Sequence, residues 1–201
     1  GDYFIDIGHL ATDGGPLINA IGTDKDEFIR TVNDITTWNS KMLEGTILRR
    51  AAHKALHSTI YRTVCYRLPA TQFSPHQCSQ INFNLHRNIL SRMGINNKLP
   101  NAYRYAPSTH NGLGLMDTRL EQCVSHIMEN ILHAGRVTLT GESIAAELEL
   151  CQLHCGLDSN LFDLNYNRSS YLIPDCEVKF LLRECAHYGI KLIGEYDRPT
   201  V

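Results

Sequence analysis

One stretch in the middle of the chain, residues 46–66, carries the pattern that most restricts how the sequence can fold. Its small and apolar residues recur at helical spacing and fall on one side of a helix: Leu48, Ala51, Ala52, Ala55, Thr59 and Val64. A second set, spaced by four, three and four, falls on another side: Arg50, Lys54, His57 and Tyr61. The stretch therefore predicts a helix with a close-packed inner face and a basic outer face that ends in an aromatic ring. Such a helix can lie along the backbone of a nucleic acid, and the alternative is an ordinary surface helix with solvated cations.

Positive charge is concentrated around this stretch, although the formal net charge of the whole chain is −2. From residue 41 to 110 the basic residues are Lys41, Arg49, Arg50, Lys54, Arg62, Arg67, Arg87, Arg92, Lys98 and Arg104. The same range contains one acid, Glu44, whereas acids predominate before residue 41 and after residue 110. A basic middle between acidic flanks indicates a surface that meets a polyanion.

The composition is that of a folded intracellular protein. The chain has 201 residues, 43% of them apolar and 20% charged, which is enough to bury the core of one domain or of two small ones. Its seven cysteines are odd in number and scattered through helical patterns, which is typical of reduced thiols in the nucleus or cytoplasm. No signal peptide and no apolar run long enough to span a bilayer is present. Because the chain begins with Gly1 rather than Met, we expect it to be a piece of a longer protein or a processed chain.

Start and stop signals predict a mainly α fold, a bundle of about six helices with minor β structure at both termini. Capping residues, apolar periodicity and terminating glycines predict helices over about 23–44, 46–66, 74–94, 117–134, 140–154 and 175–189. The sharpest start is Ser74-Pro75-His76-Gln77, which has the form of a capping box. Residues 3–10 and 190–193 are predicted strands, and 95–116 is predicted to be a long connection.

The sequence offers little for catalysis or metal binding. Cys151, His154 and Cys155 lack the spacing of a zinc site and fall on a predicted helix, where a buried structural role is the better interpretation. Gly112-Leu113-Gly114 is not a dinucleotide motif, and we interpret it as a tight turn whose glycines let the neighbouring leucines pack. No nucleophile elbow, phosphate-binding loop or cluster of carboxylates is present. We therefore expect no catalytic residue, metal or cofactor in this segment. A small hydrolase ranks a distant third, after binding to a nucleic acid and binding to an acidic protein.

A binding role agrees better with the residues. Rings are interleaved with the basic residues: Tyr61, Tyr66, Tyr103, Tyr105, His53, His57, His76, His86 and His110. Cations for phosphates and rings for stacking are the combination that nucleic-acid surfaces use, and the alternative is a surface that is merely basic.

The order of several short motifs resembles the region that follows the palm in reverse transcriptases of non-LTR retrotransposons. The motifs are Tyr66-Arg67-Leu68-Pro69-Ala70-Thr71, Cys78, Gly94, Pro100, Tyr105-Ala106-Pro107, Gly112-Leu113-Gly114-Leu115 and Gln122-x-x-x-His126-Ile127. In this resemblance Ile7-Gly8-His9-Leu10 matches the strand after the palm, Trp38 the thumb tryptophan, and Arg49-Arg50 the basic helix. The resemblance covers most of the chain up to about residue 156. It departs from the family at Asn111, where the turn has glycine, and at Asn101, where arginine is common.

The resemblance implies a division into a palm-like remnant (1–22), a thumb-like basic region (23–110) and a C-terminal helical connector (111–201). The family's Tyr/Phe-x-Asp-Asp hairpin is missing, so the resemblance implies a non-catalytic fragment of an RNA-directed DNA polymerase. Its partners would be the upstream palm and fingers and an RNA–DNA or RNA template–primer duplex, held by contacts to the phosphate backbone.

From the basic pattern and the resemblance together we expect nucleic-acid contacts from Arg49, Arg50, Lys54, His57, Arg62, Arg87, Arg92, Lys98 and Arg104. The alternative is a stand-alone helical interaction domain, domesticated from such an element, whose basic face binds an acidic protein.

Overall fold

The computed structural model describes residues 23–44, 47–157 and 160–192, and in them the chain is mainly α, as predicted. Eight helices lie in these ranges, with no strand: α1 (Thr23–Glu44), α2 (Arg49–Cys65), α3 (Pro75–Arg92), α4 (Asn101–Tyr105), α5 (Thr118–His133), α6 (Leu139–Cys155), α7 (Tyr166–Ser169) and α8 (Glu177–Tyr188). Short 3₁₀ turns lie at Leu68–Ala70, Ser108–His110 and Leu161–Asp163. The chain divides into two compact units, and the boundary falls inside α5, between Gln122 and Cys123.

The β structure expected at the termini is not part of this description. The N-terminal strand, with Ile7-Gly8-His9-Leu10, lies outside the described residues. At the C-terminus the prediction was wrong for residues 190–192, which form no strand, and Ile193 lies outside the description. The three-part division at residues 22 and 110 stays a prediction.

In the first unit, α1 and α2 both pack on α3. The residues predicted to face inward from α3 are all buried: Cys78, Ile81, Leu85, Ile89 and Leu90. Ile35 and Met42 of α1 and Ala52, Leu56, Ile60 and Val64 of α2 complete the core, with Phe28, Val32 and Trp38 packed at its edge. The spacing of four between the buried positions of α2 is what places one side of this helix against α3.

The start of α3 confirms the predicted capping box. The Ser74 hydroxyl accepts a hydrogen bond from the Gln77 backbone N–H, and the Gln77 side chain accepts one from the Ser74 backbone N–H. Two N–H groups that the helix itself cannot satisfy are thereby paired. The boundary of α3 is therefore set by local sequence.

The connection 95–116 is shaped around its glycines, as the interpretation of a tight turn requires. Leu113 N–H donates to the Tyr103 carbonyl and Leu115 N–H to the Arg104 carbonyl, both 2.9 Å, so the chain returns along α4. A Cβ at Gly112 would lie 1.9 Å from the Ala106 oxygen, which excludes every other residue there. Leu115 is buried in the core as a result.

Asn111, directly before Gly112, adopts a left-handed conformation with φ 58°. Asparagine is one of the few residues besides glycine that tolerate this region, because its short polar side chain can bond locally. Asn111 therefore holds this left-handed position without a glycine.

The second unit has its own core, formed by Cys151, Leu161, Phe162, Ile173, Val178, Leu181, Leu182 and Cys185. Here α8 packs on α6 and α7. The last helix was predicted to begin at Asp175 as its N-cap, which was wrong by one residue, because Cys176 is the N-cap of α8. The Asp175 carboxylate instead accepts a hydrogen bond from Lys179 Nζ at 2.8 Å.

Candidate nucleic-acid interface

The central helix α2 is not a regular α-helix. Residues Arg49–Ala55 and Tyr61–Cys65 are α-helical, but Leu56–Ile60 form a π-helical turn between them. A π turn accommodates one extra residue, so everything after it is rotated back by one position, roughly 100°. The faces predicted from an uninterrupted period of 3.6 therefore fail after the turn. Before it, Ala52 is buried as predicted, but Leu48 and Ala51, which were also predicted to face inward, are exposed.

The π turn aligns three cations. In a regular helix, three turns hold about eleven residues, so the eleventh residue after Arg50, which is Tyr61, would lie on the same side as Arg50. Because the π turn holds one extra residue, the twelfth residue, Arg62, lies on that side instead. Lys54 lies on the same side, one turn from Arg50. All three side chains are exposed. We call Arg50, Lys54 and Arg62 the cationic ridge; at a rise of about 1.5 Å per residue it extends over roughly 17 Å.

Tyr61 was wrongly predicted to lie on this outer face. The π turn rotates it inward, where it is 7% exposed and its hydroxyl lies 3.2 Å from Nε2 of the buried His86. Burial raises the pKa of Tyr61 well above its usual value, so the phenol remains neutral. It contributes to the core rather than to a surface for stacking.

His57 is also a poorer candidate than its spacing indicated. It is half-buried between two rings, with its centroid 4.5 Å from that of His53 and 5.0 Å from that of Tyr61, and its Nε2 is buried without a hydrogen-bond partner. Burial, and secondly the nearby His53, lower the pKa of His57. A neutral imidazole offers no charge to a phosphate at pH 7.

Three of the arginines that were predicted to contact nucleic acid already lie against the backbone of this chain. Arg92 donates to the carbonyl of Leu43 near the C-terminus of α1, and Arg104 donates to the carbonyl of Asn97. The guanidinium of Arg49 lies against Gly94, where an added Cβ would come within 2.9 Å of its Cζ. Arg92 and Arg104 are half-buried and Arg49 is exposed, so Arg49 keeps the most surface for another contact.

Arg87 and Lys98 are exposed, and Arg87 borders a second surface feature. Its guanidinium carbon lies 5.4 Å from the ring centroid of Phe83, a phenylalanine that is 58% exposed. On its other side Arg87 lines a groove of about 370 Å³ between α1 and α3, together with Thr36, Asn39, Ser40, Leu43, Asn84 and Asn88. Amides, hydroxyls and an arginine beside an exposed ring suit polar recognition.

The pattern of charges and tyrosines did not reveal Phe83 or the groove. Phe83 breaks the apolar period of α3, and it precedes Arg87 by four residues, which places both on one side of a helix. That spacing was the available signal. The asparagines of the groove carry no signal of their own, because isolated amides are common on exposed helix faces.

Several ion pairs involve basic residues that do not belong to the cationic ridge. Arg67, the remaining arginine of the basic middle, pairs with Glu27 and Asp34. Further ion pairs of lysine and arginine include those of Arg30, Lys179, Arg183 and Lys191. The carboxylates that pair with Arg67 both lie on α1.

No family model, curated protein or solved structure matches this chain. The resemblance to non-LTR reverse transcriptases therefore stays a prediction carried by the motifs alone. Over the ranges that the structure describes, no helix is long and apolar enough to cross a bilayer. Within the same ranges no three histidine, cysteine or acidic side chains are grouped as metal ligands.

Proposed function

We propose that this chain is a nucleic-acid-binding segment of a retroelement RNA-directed DNA polymerase, located C-terminal to the palm, and that it grips the template–primer duplex by its phosphate backbone. The observation that carries the proposal is the cationic ridge of α2, on which Arg50, Lys54 and Arg62 are exposed on one side of a single helix. The order of motifs supports the polymerase part of the proposal. The catalytic carboxylates would belong to the upstream palm.

The ridge has a length suited to a phosphate backbone. Phosphates of one strand follow each other by about 3.4 Å along the axis of a duplex but also wind around it, so a straight ridge of roughly 17 Å meets only a few of them. Three cations along that length can contact phosphates without reading bases. Binding by this surface is therefore insensitive to sequence.

Binding of a fluorescently labelled RNA–DNA duplex tests the proposal directly. We expect the triple variant Arg50→Gln, Lys54→Gln, Arg62→Gln to bind roughly 1,000-fold more weakly, since each lost charge-assisted contact costs about tenfold. The matched control is Lys25→Gln, Arg136→Gln, Arg168→Gln, which removes the same charge from three exposed residues elsewhere. The control is expected to bind as the unmodified chain does.

A competitor separates the proposal from the alternative of an acidic protein partner. The concentrations of both competitors are counted per negative charge. Unlabelled duplex should displace the labelled duplex at a far lower concentration than polyglutamate does, because only the duplex has regularly spaced phosphates. Equal competition by both polymers would favour an acidic protein as the partner. Equal binding by the ridge and control variants would refute the ridge itself.

A further inference from the structure

Two thiols of the second unit lie in contact. Sγ of Cys151, on α6, is 3.6 Å from Sγ of Cys176, the N-cap residue of α8. Beside them the Val178 backbone N–H donates to Oε2 of Glu147 at 3.3 Å, which ties the first turn of α8 to α6. All seven cysteines lie in the described residues, and none is in a disulfide.

The two sulfurs are close enough to be joined with little movement. A disulfide bond is about 2.05 Å long, so the sulfurs must approach by roughly 1.5 Å. Cys176 has an extended backbone, φ −156° and ψ 176°, and joins the first turn of α8 through its carbonyl, which accepts from the Phe180 N–H at 3.2 Å. Rotation of its side chain therefore does not require the helix to unwind.

The exposure of the two thiols differs in a way that suits stepwise oxidation. Cys176 is half-buried and within reach of solvent, whereas Cys151 is completely buried beside it. The other neighbouring pair of this unit, Cys123 and Cys185, is hydrogen-bonded but buried at both residues, 0% and 6% exposed. A small oxidant thus meets Cys176 before the remaining thiols of these two pairs.

We propose that Cys151 and Cys176 form a reversible disulfide when the protein meets a peroxide. The Cys176 sulfur attacks one peroxide oxygen, the O–O bond breaks, and a sulfenic acid and one water result. The Cys151 sulfur then attacks the sulfenic sulfur, the S–O bond breaks, and a second water leaves with the thiol proton. Two thiols lose two electrons, and one hydrogen peroxide becomes two waters.

The neighbouring Cys155 is the competing partner. It lies one helical turn after Cys151 on α6 and is half-buried, but the described sulfur contact of Cys176 is with Cys151. Burial, and secondly the hydrogen bond with Cys176, raise the pKa of Cys151 to about 12, which favours Cys176 as the first sulfur to react. Cys151 then acts as the resolving thiol.

Peptide mapping of the full chain after treatment with hydrogen peroxide tests this proposal. After free thiols are alkylated, trypsin releases Cys176 in residues 169–179, and Cys151 together with Cys155 in residues 137–168. We expect these two peptides to be joined, two hydrogens lighter than their sum, and to separate after dithiothreitol. Cys123 and Cys185, on two other peptides, should remain alkylated.

Single substitutions identify the partner. Cys155→Ser should keep the cross-link, whereas Cys151→Ser should abolish it and leave Cys176 as a sulfenic acid that dimedone traps. Because Cys151 is buried, Cys176→Ser, at a half-buried position, provides a second variant that must also lack the cross-link. The oxidised protein should melt several degrees higher, because a closed loop restricts the unfolded chain. A cross-link that disappears in Cys155→Ser, or the absence of a cross-link in the unmodified chain after peroxide treatment, would overturn the proposal.

Discussion

At the scale of single residues, the first unit depends on a buried histidine that must stay neutral. His86 is 2% exposed, its Nε2 lies 3.2 Å from the Tyr61 hydroxyl, and its Nδ1 is buried without a hydrogen-bond partner. Burial, followed by the charge of Arg104, lowers the pKa of His86 to about 4. Protonation in the folded state is therefore costly.

This histidine predicts a loss of stability in mild acid. Because its pKa is lower in the folded than in the unfolded chain, the unfolded state binds more protons between about pH 6.5 and pH 4, and the free energy of unfolding falls as the pH falls through that window. The expected loss is on the order of 3 kcal/mol. Denaturant unfolding at several pH values should show a shallower dependence for His86→Gln. An identical pH dependence in the two proteins would contradict the assignment.

Gly112 and Gly114 predict destabilisation of very different size by the same substitution. Gly112→Ala puts a methyl group 1.9 Å from the Ala106 oxygen, whereas at Gly114 the nearest atom is 4.0 Å away and the cost is that of φ +59° in an alanine. We expect Gly114→Ala to lower the free energy of unfolding by about 1 kcal/mol. Gly112→Ala should lower it by several times as much, because backbone must move. Chemical denaturation measures both, and equal effects would show that close approach is not why Gly112 is needed.

At the scale of elements, the boundaries of helices with local capping signals were predictable. Which residues of α2 face the core after the π turn was not. The start of α3 follows from Ser74, Pro75 and Gln77, which act within one turn and need no tertiary contact. Tyr61 was placed on the wrong side because a regular period was assumed, and residues 46–66 contain no proline or other residue that marks a π turn. Packing on α3, which depends on the whole unit, decides where the extra residue is absorbed.

A deletion tests the role of the π turn. Removing Ser58, which is exposed within the turn, should convert α2 into a regular helix without rotating the residues on either side. We therefore expect the deletion variant to fold and to bind duplex as the unmodified chain does. Inserting one alanine after Ser58 should instead rotate Tyr61 and Val64 from the core by roughly 100° and cost several kcal/mol of stability.

Circular dichroism, thermal unfolding and duplex binding of the two variants provide the comparison. Loss of folding on deletion of Ser58 would mean that the π turn is itself required by the core. In that case the alignment of Arg50 with Arg62 would need another cause.

At the scale of the whole molecule, start and stop signals predicted a mainly α protein, and the uneven distribution of charge predicted a surface that meets a polyanion. The cations of residues 41–110 have different surroundings in the fold. Arg50, Lys54 and Arg62 are exposed along α2, whereas Arg67 is paired with acids of α1, and Arg92 and Arg104 bond to backbone carbonyls. The sequence alone cannot predict which of these cations stays exposed, because that depends on which carbonyl or carboxylate the fold brings near each one.

The salt dependence of duplex binding tests the central claim most directly. The logarithm of the binding constant should fall linearly with the logarithm of the salt concentration, with a slope that counts the phosphates neutralised, about 0.9 for each in duplex DNA. For Arg50→Glu, Lys54→Glu we expect weaker binding on every duplex sequence and a slope smaller in magnitude by roughly two. A slope and affinity equal to those of the unmodified chain would mean that the cationic ridge does not hold the duplex.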